Sequence, residues 1–349
     1  MFENKSSRTE LSSLGEFGLI KHLTEHITIH NENTVKGVGD DAAVIDIGND
    51  KVHLLSTDML AEGVHFDLTY VPLKHLGFKA IATNVSDICA MNGTAKQITV
   101  SFAVSNRFSV EALEELYSGM LMACNKYKVD LVGGDTTSSL AGLVISINVL
   151  GEAQKENVVY RNGAQEKDLL CVTGDLGGAY MGLQILEREK AIFKENPNLQ
   201  PDLEGNDYIL ERQLKPEARV DIKAIFQEKG IKPTSMIDIS DGLASEILHL
   251  TTQSNVGCAL YEDKIPMDSL TITRAHEFRL DPTLCALSGG EDYELLFTIP
   301  QSDFEKVKGH PDFTVIGHMA DKNSGCNMIT RSGSSITITA QGWDAFLKK

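Results

Sequence analysis

Positive charge is in short supply. Against 49 Asp and Glu the 349-residue chain carries 32 Lys and Arg, a formal net charge of −17. Nucleic acid and anionic lipid both reward clustered Lys and Arg, so this balance argues against general affinity for either. An anionic ligand is still admissible if metal ions stand between it and the acidic protein. Paired cysteines are also missing. Cys89, Cys124, Cys171, Cys258, Cys285 and Cys326 lie far apart with no C-x-x-C, which suits buried thiols in a reducing compartment better than disulfides or zinc. No apolar run approaches the about 18 residues of a membrane span, and "MFENKSSRTE" has neither the basic start nor the apolar core of a signal peptide. The expectation is a cytoplasmic protein that binds neither membrane nor nucleic acid. No G-x-x-x-x-G-K-[ST] occurs, which removes the P-loop class. "TGDLGGAYMG", residues 173–182, follows a strand and opens a helix but lacks the G-x-G-x-x-G spacing of a dinucleotide turn.

What is there is enough for about two domains at this length. Period-2 and period-3.6 patterns alternate, which predicts a mixed α/β architecture. "KVHLLSTD" reads as a strand ending at a polar turn. Phe78, Ile81, Val85 and Ile88 have the spacing of an amphipathic helix, with Ala80, Asn84 and Asp87 on a second, small and polar face. Ser109 is a plausible N-cap for a helix through Leu113, Leu116, Met120 and Cys124. "VDLV" is a short strand running into a "GGDTTSS" turn, and residues 143–149 alternate like a half-buried antiparallel strand. The polar segment 151–168 is the best domain junction, dividing residues 1–150 from 151–349. The second half restarts with the strand "DLLCVTG" and a helix over 178–188. Residues 190–216, polar and holding three prolines, read as an excursion rather than core. "SMIDISDGLASEILHL" is strand, acidic turn, helix, and "LSGGEDYELLFTIP" is a Gly-rich turn feeding a strand.

Acidic residues recur beside Gly, Ser or Thr: Asp40 and Asp41, Asp58 of "STD", Asp135 of "GGD", Asp238 and Asp241 of "DISD", Glu291 and Asp292 of "GGED". The helix adds Asp87. Each alone reads equally well as turn chemistry, and Asp241 could be a helix N-cap. If several converge, two carboxylates about 4 Å apart repel by roughly 4 kcal/mol at an effective dielectric near 20. Divalent cations remove that penalty, and carboxylate and hydroxyl oxygens suit Mg²⁺. Mg²⁺ held by few carboxylates completes its shell with water and phosphate. The pattern therefore points to a Mg-nucleotide.

"GVGDDAAV", "STDMLAEGVHF", "NVSDICAM", "LVGGDTT", "YRNGA", "VTGDLG", "IDISDGL" and "SGGEDYELLFT" occur in that order. In this the chain resembles the bacterial thiamine-monophosphate kinases, relatives of aminoimidazole-ribonucleotide synthetase. The resemblance implies a two-domain α/β fold of aminoimidazole-ribonucleotide synthetase type. Its N-terminal domain forms a dimeric β-barrel and carries ATP and Mg²⁺, and its C-terminal domain is α/β. It implies ATP-dependent phosphorylation of thiamine monophosphate to thiamine diphosphate by a homodimer, with several Mg²⁺ ions. It places Asp41, Ser56, Thr57, Asp58, Asp87, Asp135, Asp238 and Asp241 at metal positions, and Gly134, Asp135, Arg161 and Ser240 at ATP. His65, Glu291 and Trp343, the only tryptophan, fall at the thiamine substrate. No general base is implied, because the attacking phosphate, with a second pKa near 6, is already mostly ionised at neutral pH. Catalysis would rest on alignment and charge neutralisation. Ser138 stands where the family often has a basic residue. Two alternatives remain: a sister ATP-dependent enzyme with another acceptor, and a non-catalytic Mg-nucleotide-binding regulator.

Overall fold

A single buried helix is flanked by two β-sheets in the computed structural model, which describes residues 10–340. Trp343 lies outside the described residues. Helix α1 (Gly15–Thr24) comes first, then β1 (Thr34–Lys36), β2 (Ala43–Gly48), β3 (Lys51–Ala61), α2 (Leu73–Ala90), β4 (Thr94–Val104), α3 (Val110–Tyr127), β5 (Asp130–Ser138) and β6 (Val144–Gln154). The strands form a six-stranded sheet in the order β1-β2-β3-β6-β4-β5. Only β4 and β5 pair in parallel, joined by the crossover helix α3. Ser109 caps α3, its hydroxyl accepting from the Ala112 N–H. The expected antiparallel strand at 143–149 runs on through Gln154, so residue 150 lies within β6.

The second half contributes β7 (Leu169–Thr173), α4 (Gly178–Glu195), α5 (Asp207–Leu214), α6 (Ile222–Lys229), β8 (Ser235–Asp238), α7 (Leu243–Ser254), β9 (Gly257–Tyr261), α8 (Ser269–Glu277), α9 (Pro282–Ser288), β10 (Leu295–Ile299), α10 (Phe304–Val307), β11 (Phe313–Ala320), β12 (Cys326–Ile329) and β13 (Ser335–Thr337). Its sheet has the order β13-β12-β9-β11-β7-β10-β8. Its pairings are antiparallel except β9 with β12.

Four sequence expectations change. The helix α2 is not amphipathic: residues 76–86 are buried without a break, because α2 packs closely along α3, rests on β3, β4 and β6, and also meets β8. One hydrophobic core consequently runs from Val44, Leu54 and Ile81 through to Phe226 and Phe297. Asp58 is not in a turn, since β3 continues through it to Ala61 and pairs with β6 along its whole length. Asp135 likewise lies inside β5. The "GGD" turn becomes strand because Gly134 pairs with Val100, and a Cβ at Gly134 would lie 1.8 Å from the Val100 carbonyl oxygen. Residues 190–216 are partly core: α4 extends to Glu195, and α5 buries Ile209 and Leu210 against Met181 and Ile185 of α4.

Among the described residues no helix is long and apolar enough to cross a membrane. Among the described residues the first sheet is open, and no closed barrel is found. The cysteines are free; five are buried and Cys326 is half-buried.

Candidate functional site

The face alternation of β3 decides which of its polar residues enter the site. Val52, Leu54 and Leu60 are buried on the inner face. Ser56 and Asp58 share that face, and Thr57 must point the other way. The Ser56 hydroxyl donates to Asp87 Oδ2 from α2. Thr57 is exposed, and its hydroxyl donates to the Ile147 carbonyl at 3.0 Å. Of this "STD" triplet, Ser56 and Asp58 therefore turn their side chains to the interior and Thr57 does not.

Asp41, Asp87 and Asp238, from the turn before β2, the end of α2 and the end of β8, each offer a carboxylate oxygen, all within 4.8 Å of one another. Three segments far apart in sequence thus converge where α2 passes between the sheets. Asp58 acts electrostatically on Asp87 and Asp238 and feels Asp41, and Asp241 in turn feels Asp58. Burial first, and then the charge of Asp41, push Asp58 up to about 6 and Asp238 to about 7. Burial and neighbouring acids, Glu16 foremost, raise Asp241 to about 6. Asp87, half-buried near the end of α2, is held well above the ordinary carboxylate range by desolvation and then by Asp58. The Asp238 Oδ2 accepts from the Ser86 hydroxyl at 2.5 Å. Asp41 Oδ2 is buried without a hydrogen-bond partner.

Among the described residues one cation enters this group. Arg161 donates through Nη2 to Asp41 Oδ1 at 2.6 Å and through Nε at 3.2 Å. Its backbone N–H donates to Asp40 Oδ1 at 3.1 Å, and Asp40 also faces Lys36 at 3.6 Å. The two adjacent aspartates therefore part company, Asp41 into the acidic group and Asp40 toward Lys36.

The turn between β8 and α7 carries Ser240 and Asp241. Asp241 is not the N-cap of α7. That position is Gly242, and no side chain caps it. Instead the Asp241 N–H donates to Glu246 Oε1 at 2.9 Å. The turn is pinned to residues 290–294 by bonds from Glu291 N to Ser240 O (2.7 Å), Tyr293 N to Ile239 O (2.9 Å) and Ile239 N to Glu294 O (2.8 Å). Glu291 and Tyr293 have φ of 60° and 50°. Such left-handed backbone at non-glycine residues costs of order 1 kcal/mol or more each and is held by the surroundings.

Glu291 and His65 are brought near each other, with Lys79 as a third charged neighbour. Lys79 Nζ lies 2.6 Å from Glu291 Oε1. His65 is exposed, and its Nδ1 accepts from the Ala61 N–H at 3.0 Å. Gly134 and Asp135 are not gathered with the acidic group. The row Asp58, Ile147, Val100, Gly134 crosses four strands, which puts β5 roughly 14 Å along the sheet from β3. Asp135 is exposed, and its Oδ1 accepts from the Thr136 N–H at 2.9 Å. Packing against the Val100 carbonyl by itself requires glycine at 134.

Of the buried charges that escaped the sequence reading, two touch the site residues Asp241 and Glu291. Glu246 is 2% exposed and Lys79 3%. Both carried a signal: Glu246 follows Leu243 by three positions on the apolar stripe of α7, and Lys79 is four residues before Thr83 and eight before Asp87 on one stripe of α2. A charge at a stripe position of a helix is a candidate for a buried pair.

The domain family described as "AIR synthase related protein, N-terminal domain" matches residues 39–153. The fold and its acidic convergence between two sheets define the chain as a protein of this class. The chain is 32% identical to the thiamine-monophosphate kinase of Bacillus subtilis over 95% of its own length and 100% of the relative's. It is 34% identical to that of Aquifex aeolicus over 89% and 93%. Its structure resembles that of AaThiL complexed with AMPPCP and TMP, with a TM-score of 0.81, 32% identity, and coverage of 98% of this chain and 100% of that one. The chain belongs to the thiamine-monophosphate kinase family.

Proposed function

We propose that this protein transfers the γ-phosphoryl group of ATP to thiamine monophosphate, giving thiamine diphosphate and ADP. The observation that carries the reading is the convergence of Asp41, Asp87 and Asp238 within 4.8 Å, with Asp58 and Asp241 beside them, in a chain of this family. The group has far more negative charge than Arg161 can neutralise. The donors fit Mg²⁺: they are hard oxygens, the carboxyls of Asp58, Asp238 and Asp241 are pushed up by burial and neighbouring acids, and Asp41 Oδ2 has no hydrogen-bond partner among the described residues. Asp41, Asp58, Asp87, Asp238 and Asp241 would hold the ions, with Ser56 orienting Asp87. Bound there, Mg²⁺ supplies charge neutralisation for phosphate oxygens.

The remaining roles belong to the chain itself. Arg161 presents a planar fork whose bond to Asp41 can be exchanged for phosphate oxygens. Ser240 lies in the turn beside Asp241, and Gly134 and Asp135 lie on the exposed strand β5, open to an extended nucleotide. His65 and Glu291 face the acceptor, and Trp343 is assigned to it from family resemblance. No residue need take a proton from the acceptor phosphate.

We also assign the first sheet to residues 1–150 and the few that finish β6, as an ATP, metal and pairing domain, and the rest to a C-terminal α/β domain. Leu55 and Met59 of β3, Ile47 of β2 and Val132 of β5 are exposed apolar residues on this sheet. Two copies pairing there into a barrel would cover them, and the reading is a cytoplasmic homodimer. The test is direct: purified protein with Mg-ATP and thiamine monophosphate should yield thiamine diphosphate on chromatography. ATP binding without product would favour a regulator, and ATP consumption without thiamine diphosphate would favour another acceptor.

A further inference from the structure

Glu291 is held more tightly than a surface carboxylate needs to be. Its side chain is 26% exposed, yet both its oxygens are engaged from below by groups that are themselves buried. Lys79 Nζ, on a residue 3% exposed, meets Oε1 at 2.6 Å. Gln213 Nε2, on a residue 5% exposed, donates to Oε2 at 2.7 Å. Lys79 also reaches the Gln213 carbonyl at 3.4 Å. The three residues come from α2, from α5 and from the turn before β10. Glu291 itself stands in left-handed backbone, φ 60°.

Burying an ammonium costs several kcal/mol unless it is paired. A chain that needed only to fill this space would use an apolar side chain on α2. A carboxylate offers about four acceptor positions, so Lys79 and Gln213 fix the plane of Glu291 and leave part of it open toward His65. The helix that supplies Lys79 also supplies Asp87, eight residues on, about 12 Å along its axis. One rigid element therefore sets the spacing between the acidic group and Glu291.

We propose that Lys79 and Gln213 are positioning residues that orient Glu291 toward the cationic ring of the acceptor, so that α2 fixes the distance from that ring to the phosphoryl-transfer end. This rests on the reading of Glu291 as an acceptor-side residue. Orientation of the acceptor is a property of its binding, and the nucleotide is untouched by it.

The test is steady-state kinetics on Lys79→Met, Glu291→Gln, the double variant and Gln213→Met, with both substrates varied. Lys79→Met and Glu291→Gln should each raise KM for thiamine monophosphate about tenfold, the size expected for one charge-assisted hydrogen bond. KM for ATP should stay within about twofold. The double variant should be no worse than the poorer single one, because both act through the same carboxylate. Gln213→Met should show the same selective rise, smaller, and carries the test alone if Lys79→Met does not fold. A rise with Glu291→Gln but none with Lys79→Met or Gln213→Met, or effects that multiply in the double variant, would overturn the positioning role alone. No rise with Glu291→Gln would overturn the acceptor-side reading of Glu291, and the inference with it.

Discussion

Two groups of buried carboxylates lie on either side of the turn at 289–294, and the chain treats them differently. On one side Glu294, 4% exposed, is surrounded by donors. Arg212 Nη1 reaches Oε1 at 3.0 Å, while Arg219 Nη1 and the Thr173 hydroxyl reach Oε2 at 2.6 and 2.5 Å. Arg219 extends the network to Asp221 and Asp312, and Arg212 also donates to the carbonyls of Asp175 and Asp292. On the other side, among the described residues, Asp41, Asp58, Asp87, Asp238 and Asp241 have one guanidinium beside them, that of Arg161, which is bonded to Asp41 and acts on Asp238 and Asp241. The first group carries its own cations and ties β7, β10 and α5 together. The second leaves its charge for something outside the chain. Asp292 stands between the two cases: its Oδ2 accepts from the Gly177 N–H at 2.8 Å, but Oδ1 has no hydrogen-bond partner and lies 3.7 Å from Arg212. Burial pushes Asp292 up to about 7 despite that arginine.

If this contrast is right, the largest loss of stability follows from breaking the self-neutralised group. Arg212→Met leaves Asp292 without its nearby arginine and Glu294 with Arg219 and Thr173 alone, and should cost about 3–5 kcal/mol of unfolding free energy, read from urea denaturation; a loss under 1 kcal/mol would deny the network a structural role. The opposite signature belongs to the acidic group. Asp58→Asn should lower kcat by roughly 10²–10³-fold, comparable to removing one preorganised transition-state contact. Its melting temperature in EDTA should be no lower than the parent's, because a repelled carboxylate is gone. Near-parental turnover would end the metal role of Asp58.

The pH response sharpens the comparison. A carboxyl whose pKa is higher folded than unfolded binds its proton more tightly in the native state. Stability from such a group is greatest below the unfolded value of 3.8 and falls as pH rises to the folded value of about 6 for Asp58 and Asp241 and about 7 for Asp238. In EDTA the melting temperature should therefore drop by several degrees between pH 5 and pH 8 (each 1 kcal/mol moves a chain of this size by about 1–2 °C). Saturating Mg²⁺ should shrink the drop, and Asp292→Asn should remove most of what is left. A flat profile in EDTA would contradict the uncompensated state of the acidic group. The smallest effect separates neighbours on one strand. Ser56→Ala, losing the bond to Asp87, should slow turnover about tenfold, and Thr57→Ala, whose hydroxyl faces the other side of β3, should slow it several times less. Equal losses would show that both faces of the strand serve the site.

Much of this was legible in the chain. The alternation at 143–149, the Ser109 cap and the strand–turn–helix at 235–254 are local patterns, and local hydrogen bonding realises them. The pairing of Ser56 and Asp58 against Thr57 was available from period-2 alternation, once "STD" is taken as strand and not turn. The misreadings share one cause. Gly133, Gly134 and Asp135 look like a turn until β4 is placed alongside, and α2 looks amphipathic until α3 and a second sheet cover its other faces.

The missing G-x-x-x-x-G-K-[ST] motif excluded a P-loop, composition argued against general nucleic-acid affinity, and the ordered motifs carried the family, because these depend on residue type and order alone. Which aspartates meet, which arginines answer them, and that Lys79 lies under Glu291 were decided only by the tertiary structure. Electrostatic partnership depends on distance and burial, and the chain brings residues 41, 87 and 238 within 4.8 Å only after both sheets close on the same helix.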